Sequence, residues 1–172
     1  MGDPKKPRKK YNTPRMPWRS DVLVGELQLV GTYGLRNKRE LWKAKTLLSN
    51  TREQARLLLA MPEIERKVKE KFLLNKLTNN ALIDKNSTID DTLSLTVEDI
   101  LERRLQTIVW RKGLAKTPGQ ARQFLVHGHV SIRNRVVRRP SMFVKAADED
   151  SVKLRDDSPL RIIIGAQKEA GK

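Results

Sequence analysis

Between Thr96 and Val136 the apolar residues change their spacing, and two glycines mark where. Val97, Leu101, Leu105 and Ile108 recur at three and four, the period of a helix. Thr96 caps that helix, with Asp99 at the capping-box position. Arg111 and Lys112 lie at its end, where the helix dipole favours cations. Gly113 is a natural left-handed stop, with Leu114 placed for the accompanying apolar contact. Thr117 then caps and Pro118 opens a second helix, which buries Ala121, Phe124 and Leu125 and ends at Gly128. From there the period is two: Val130, Ile132 and Val136 alternate with polar residues. Met142–Val144, Val152–Leu154 and Leu160–Ile164 are further strand candidates, with "RDDSP" a turn between the last two. Lys153 and Arg155 face away from Val152 and Leu154. The segment therefore folds as two short antiparallel helices followed by a small sheet, and the chain belongs to the α+β class.

The same stretch carries the charge. Of a formal net charge of +16, residues 101–140 hold ten Lys/Arg against one acid, and residues 1–20 hold seven against one. Residues 21–100 and 141–172 are close to balanced. A net charge of about 2–8 is usual for a small soluble domain. An excess concentrated inside a folded segment marks a surface steered toward a polyanion. With Ala121, Phe124 and Leu125 inside, Arg122 and Gln123 lie toward the other side of the second helix. Arg133 and Arg135 flank a hairpin tip at Asn134, Arg138 and Arg139 follow it, and Arg111, Lys112 and Lys116 surround the inter-helix turn. Converging there, guanidinium forks can bridge phosphate oxygens in pairs. A-form RNA hides its major groove and displays backbone and 2′-hydroxyls, so reading by shape suits such a face. Arg103 and Arg104, just upstream, are also candidate RNA contacts.

N-terminal to this lies a different composition. In residues 1–19, Pro4, Pro7, Pro14 and Pro17 preclude a helix. Lys5, Lys6, Arg8, Lys9 and Lys10 make this an extended basic arm, with Tyr11 and Trp18 available to stack or wedge; no core position is expected in it. Ser20 with Asp21 caps a short helix carrying Val22, Leu23, Glu26, Leu27 and Val30 and ending near Gly31–Gly34. Asn37 caps the next, whose apolar face is Leu41, Ala44, Leu48, Ala55, Leu58 and Leu59. Met61 closes it, and Pro62 opens a third. Ile64, Val68 and Phe72, extended by Asn75, line one side of that helix, widened by Leu73, Leu74 and Leu77. "TNNALIDKNSTIDDTLSLT" reads as a polar connector anchored by Leu82, Ile83, Ile89, Leu93 and Leu95. The expected organisation is an arm (1–19), a helical domain (20–96), an RNA-binding module (97–165) and a tail (166–172).

Several chemistries are disfavoured. The absence of cysteine excludes disulfides, thiolate-bound zinc and thiol catalysis, and fits a reducing compartment. No run of about 18 apolar residues spans a membrane, and the N-terminus lacks the apolar core of a secretory signal, so a cytosolic protein with no membrane partner is expected. His127 and His129 flank Gly128 without a convergent carboxylate, so ordering RNA contacts suits them better than metal binding or catalysis. "DED" at Asp148–Asp150 and "DD" at Asp156–Asp157 lack a calcium-loop pattern and read as solvated turns. Trp42, Trp110 and Phe124 read as core. "GLAKTPGQ" lacks the phosphate-loop order. No catalytic residue, metal or cofactor is expected.

"ERRLQTIVWRKGLAKTPGQARQFLVHGHVSIRN" resembles the RNA-binding module of the S-four family, which some RNA-modifying enzymes also carry. "YGLRNKRELW", Tyr33 to Trp42, is not part of that general module. It resembles the small-subunit ribosomal protein S-four family in its archaeal and eukaryotic-like branch, and with "RRPS" at Arg138–Ser141 the resemblance covers nearly the whole chain. The resemblance implies a primary binder of small-subunit ribosomal RNA that nucleates assembly of the subunit body and influences decoding accuracy. It implies a place near the messenger entry and the proteins S-five and S-twelve, and hence a cytoplasmic, ribosome-bound protein. It carries RNA contact onto Arg103, Arg104, Arg111, Lys112, Lys116, Arg122, Gln123, His127, His129, Arg133 and Arg135, and Arg36, Lys38 and Arg39 of the N-terminal motif join them as candidates. Many members have a Gly after the hairpin Asn where this chain has Arg135, which leaves the turn type open. Some bacterial members carry an N-terminal cysteine zinc knuckle, which this chain cannot form. A docking arm of an RNA-modifying enzyme would need a second domain with a pocketed acid or nucleophile, and residues 1–96 offer only helices. A DNA-compacting role is disfavoured because the module has few groove-reading elements.

Overall fold

Residues 9–160 are described by the computed structural model. The expected arm cations Lys5, Lys6 and Arg8, the strand candidate beyond Leu160 and the C-terminal tail lie outside the described residues. The elements run α1 (Ser20–Thr32), α2 (Lys38–Leu59), α3 (Glu63–Asn79), α4 (Ile89–Ser94), α5 (Val97–Glu102), α6 (Leu105–Arg111), α7 (Pro118–Val126), β1 (Val130–Ile132), β2 (Arg135–Val136), a 3-10 turn (Ala146–Asp148) and β3 (Val152–Leu154). The three strands form an antiparallel sheet with β1 in the middle, Ser131 facing Val136 on one side and Lys153 on the other. The class is α+β, as expected.

Local signals set most of the elements. The Asn37 side chain accepts from the Glu40 amide at 3.2 Å to start α2, and Leu41, Ala44, Leu48, Ala55 and Leu58 form its buried stripe. Of the expected face only Leu59, its last residue, is not buried, at 39% exposed. Thr96 and Asp99 form the capping box at α5. Five expectations need correction. Ser20 does not cap α1: Arg19 holds the cap position, and the Ser20 hydroxyl lies against Asp21. The connector contains a helix, α4, started by a second capping box at Thr88 and Asp91. Met142–Val144 is no strand; Phe143 makes a single bridge to Arg104.

The fourth correction concerns α3. Leu73 and Leu77 are buried against Ala55, Leu58 and Ile89, whereas Ile64, Val68 and Phe72 are 88%, 72% and 77% exposed. Successive helical residues are about 100° apart, so a helix with leucines at 73, 74 and 77 and a stripe at 64, 68 and 72 has two apolar sides. Only one can meet α2.

The continuous helix expected from Val97 to Lys112 is broken at Arg103 and Arg104. Arg104 is extended, and the backbone there pairs with the segment after the hairpin. The Val144 amide donates to the Arg103 carbonyl at 3.1 Å, and the Leu105 amide to the Met142 carbonyl at 2.8 Å. The break separates two packing roles. Ile100 and Leu101 of α5 join Tyr33, Leu35, Leu41 and Leu48, while Leu105, Ile108 and Val109 of α6 join α7 and the sheet. Packing is therefore continuous through Thr96.

Replacing Leu73 with Ala should cost about 2–5 kcal/mol by opening a cavity. Phe72→Ser, one residue away, should stay within about 0.5 kcal/mol of the parent, as surface changes do. Denaturant titration of both variants checks which side of α3 is inside.

Candidate nucleic-acid interface

Most of the RNA-facing candidates sit on a module whose charged tie to the N-terminal helices is Glu40. Glu40, on the first turn of α2, accepts from Arg104 at 2.7 Å through Oε2 and from Arg122 at 2.8 Å through Oε1. Arg104 is only 4% exposed, and both cations lie across the joint from Glu40. Burial pushes the Glu40 carboxyl up, but Arg122 and Arg104 outweigh it and hold it below the usual carboxylate range. Burial likewise draws the Arg104 guanidinium down while Glu40 opposes it; a guanidinium stays protonated regardless. Beside this pair, Gln106 donates from one amide nitrogen to the carbonyls of Gly34 and Pro118, each at 2.9 Å, and its oxygen accepts from Arg122. Gly34 has φ +57°, and a Cβ there would lie 2.7 Å from Pro118 Cβ. No side chain fits between the α1–α2 turn and the start of α7.

A second buried acid steadies the other side of α2. Glu26 accepts from Trp42 Nε1 at 3.0 Å and Lys45 at 2.8 Å, and pairs with Lys38 at 3.5 Å. Burial raises its carboxyl, and these donors together bring it below the ordinary value. Tyr33 donates to Glu102 at 3.1 Å. Burial, reinforced by Glu102, pushes its phenol up to about 12, so it remains a donor.

The module itself is built on two left-handed glycine stops. After α6 the Leu114 amide donates to the Val109 carbonyl, and after α7 the His129 amide donates to Phe124, with Gly113 and Gly128 at positive φ. Thr117 caps α7 by accepting from the Gln120 amide at 3.2 Å. The open question of the hairpin is resolved: Arg133 and Asn134 are both left-handed, at φ 48° and 64°, the signature of a two-residue type I′ turn. Arg135 stands in β2 opposite Ile132, so the turn does not require glycine at that position. Gly128 is close-packed as well, since a Cβ there would lie 3.0 Å from Arg138 Nε. Arg138 thereby lies against Gly128 at the end of α7.

The structure divides the candidates. Arg104 and Arg122 are committed to Glu40, so Arg122 does not simply point away from the fold. Arg103 is mostly buried, pairing with Glu149 at 2.8 Å and reaching the Val144 carbonyl. Lys112 donates to the Glu149 carbonyl. Arg133 pairs with Asp148 at 2.5 Å while staying largely exposed. Asp148 and Glu149 are therefore counter-charges for the module, whereas Asp150 is exposed as a solvated turn residue would be. Arg111 stays exposed, pairs with Glu102 at 2.6 Å and lies over the Trp110 ring. Lys116, Gln123, His127, Arg135, Arg138 and Arg139 are exposed, as are Arg36 and Arg39; Lys38 is half-buried. His129 is half-buried, with Nδ1 3.0 Å from Ser158 Oγ. Among the described residues no group of His, Asp or Glu could hold a metal. In the arm, Lys9 and Lys10 are exposed, but Tyr11 packs on Trp42 and the Asn12 amide donates to Thr46 Oγ1. The arm thus has anchors where none was expected, and Trp18, 87% exposed, keeps its ring open. Glu40 and Gln106 escaped the sequence reading, because a lone acid or amide at helical spacing looks like any solvated position; Glu149 was read only as part of a solvated turn.

Residues 103–150 match the model of the S4 domain family. Over 159 residues the chain is 54% identical to small ribosomal subunit protein uS4 of Hyperthermus butylicus, covering 92% of this chain and 90% of that one. The chain belongs to the uS4 family. The uS4 protein of Ignicoccus hospitalis is 50% identical, covering 92% of this chain and 96% of its own. That of Metallosphaera sedula is 51% identical over 162 residues, covering 94% of this chain and 90% of its own. The S4 domain match begins at Arg103, where the helix breaks, and takes in the hairpin and its acidic counter-charge. The uS4 relatives also extend over the N-terminal helices that Glu40 joins to the module.

Glu40→Ala leaves two cations without their acid and should destabilise the protein by about 3–5 kcal/mol, the range for breaking a buried pair. Because the folded carboxyl is held below its unfolded value, the contribution is present above the usual carboxylate pKa. It disappears as pH falls through the depressed one. The stability difference between parent and variant should therefore be full at pH 7 and shrink below about pH 4, as followed by thermal unfolding across that range.

Proposed function

We propose that this chain is a structural protein of the small ribosomal subunit. It binds small-subunit (16S) ribosomal RNA as a primary binder and nucleates assembly of the subunit body. Identity of about half over nine-tenths of the length with uS4 proteins supports the ribosomal role. The observation that carries the RNA face is the sorting of the cations. Arg104 is buried and Arg103 and Arg122 are half-buried against Glu40 and Glu149, while Arg135, Arg138 and Arg139 stand exposed at and after the hairpin. Fixed guanidinium forks on a rigid turn suit the phosphate backbone of a shaped RNA.

In this reading Lys116, Gln123 and His127 extend the hairpin surface along α7. Arg36 and Arg39 make a second contact at the start of α2, and Lys5, Lys6, Arg8, Lys9 and Lys10 form an arm that follows phosphates away from its Tyr11 anchor. Functionally the chain divides into arm (1–19), helical domain (20–96), module (97–165) and tail (166–172). The protein works in the cytoplasm as part of the ribosome, contacts other ribosomal proteins with S-five and S-twelve as neighbours, lies near the messenger entry and contributes to translational accuracy.

The double variant Arg135→Glu with Arg139→Glu should unfold within about 2 °C of the parent, because neither residue carries an ion pair among the described residues, and should lose incorporation into reconstituted small subunits at least tenfold. Deleting residues 1–10 keeps the Tyr11 and Asn12 contacts and should weaken RNA binding through lost phosphate contacts without changing the unfolding temperature. Sucrose-gradient sedimentation with thermal unfolding reads both; full incorporation of the double variant would remove the hairpin from the RNA face.

A further inference from the structure

The outer stripe of α3 has no role in the fold and none in an RNA face. Ile64, Val68 and Phe72 recur every fourth residue and are 72–88% exposed. They span about 12 Å of helix at 1.5 Å per residue. Beside Phe72 the stripe opens into a groove of about 310 Å³ whose apolar floor is Leu57, Leu58, Met61 and Leu73. A continuous exposed apolar strip of this kind marks an interaction surface more often than chance placement. Lysines border it on both sides. Lys67 and Lys69 pair with Glu63 and Glu65 one turn back, whereas Lys71 and Lys76 are exposed and have no acidic partner among the described residues.

The chemistry of this strip separates three occupants. An RNA strand could satisfy the lysines but would leave three large apolar side chains facing phosphates and sugar. A second copy of the chain would set lysines against lysines, in a protein of net charge +16. An amphipathic helix with Asp or Glu flanking its apolar side matches both features: apolar residues at i, i+3 and i+4 enter the stripe and groove, and the acids meet Lys71 and Lys76.

We propose that the α3 stripe is a docking site for an acid-flanked amphipathic helix of another small-subunit protein. The inference rests on assembly of this chain into the small subunit, which sedimentation reports separately. A photo-crosslinking benzophenone amino acid is placed at position 72 of the full-length protein, small subunits are assembled and purified, and the ultraviolet adduct is mapped by mass spectrometry. The expected adduct lies in one helical segment of one small-subunit protein, with acids beside its apolar positions. The double variant Lys71→Glu with Lys76→Glu should reduce that adduct at least fivefold while the subunit still sediments normally. A fold that survives these surface changes is checked by its unfolding temperature. An adduct with ribosomal RNA, with a second copy of this chain, or with no partner in subunits that have incorporated the protein would overturn the proposal. So would an adduct unaffected by the charge reversal.

Discussion

Glu40 is the residue on which the arrangement of the chain depends. A carboxylate buried with one arginine gains little over an apolar pair, because desolvation offsets the attraction. Sharing it between Arg104 and Arg122 changes the result: both oxygens are satisfied by charged donors, and three elements are tied at one point. Arg104 lies at the break between α5 and α6, Arg122 on α7 and Glu40 at the start of α2. The neighbouring amide of Gln106 reaches the α1–α2 turn and the first residue of α7, and the contact of Gly34 with Pro118 closes the same joint.

This joint also organises the surface. A chain with such an excess of cations must distinguish those that hold the fold from those that meet a partner, and burial makes the distinction. Glu40 and Glu149 take up Arg104, Arg122 and Arg103, which leaves the hairpin and the segment after it as the cationic edge. The type I′ turn places Arg133 at its tip and Arg135 at the start of the returning strand, and Arg138 folds over Gly128 toward the end of α7. Fixing these groups on a three-stranded sheet lowers the entropy lost when they engage a phosphate backbone.

Much of this was legible in the sequence. The stops at Gly113 and Gly128, the caps at Asn37, Thr96 and Thr117, and the buried stripes of α2 and α7 follow local rules, and local rules held there. Three misreadings share a cause in tertiary contact. The helix from Val97 keeps its period past Arg103, yet backbone pairing with residues 140–144 and the pull of Glu40 break it. The α3 stripe at 64, 68 and 72 has a sound helical period, but α2 offers one surface and Leu73 with Leu77 occupies it. Asp148 and Glu149 look like part of a solvated loop until Arg103 and Arg133 come within reach. In each case the deciding partner lies in another element, about which spacing carries no information.

The division of cations into fold-holding and RNA-meeting sets is tested most directly by the salt dependence of ribosomal RNA binding, measured beside thermal unfolding for Arg104→Gln and Arg135→Gln. A lost phosphate contact lowers the slope of log K against log salt by roughly 0.7–0.9. Arg135→Gln should lower the slope by about that amount and leave the unfolding temperature unchanged. Arg104→Gln should lower the unfolding temperature markedly and leave the slope of the folded protein as it was. The reverse pattern, with Arg104 setting the slope and Arg135 the stability, would contradict the account.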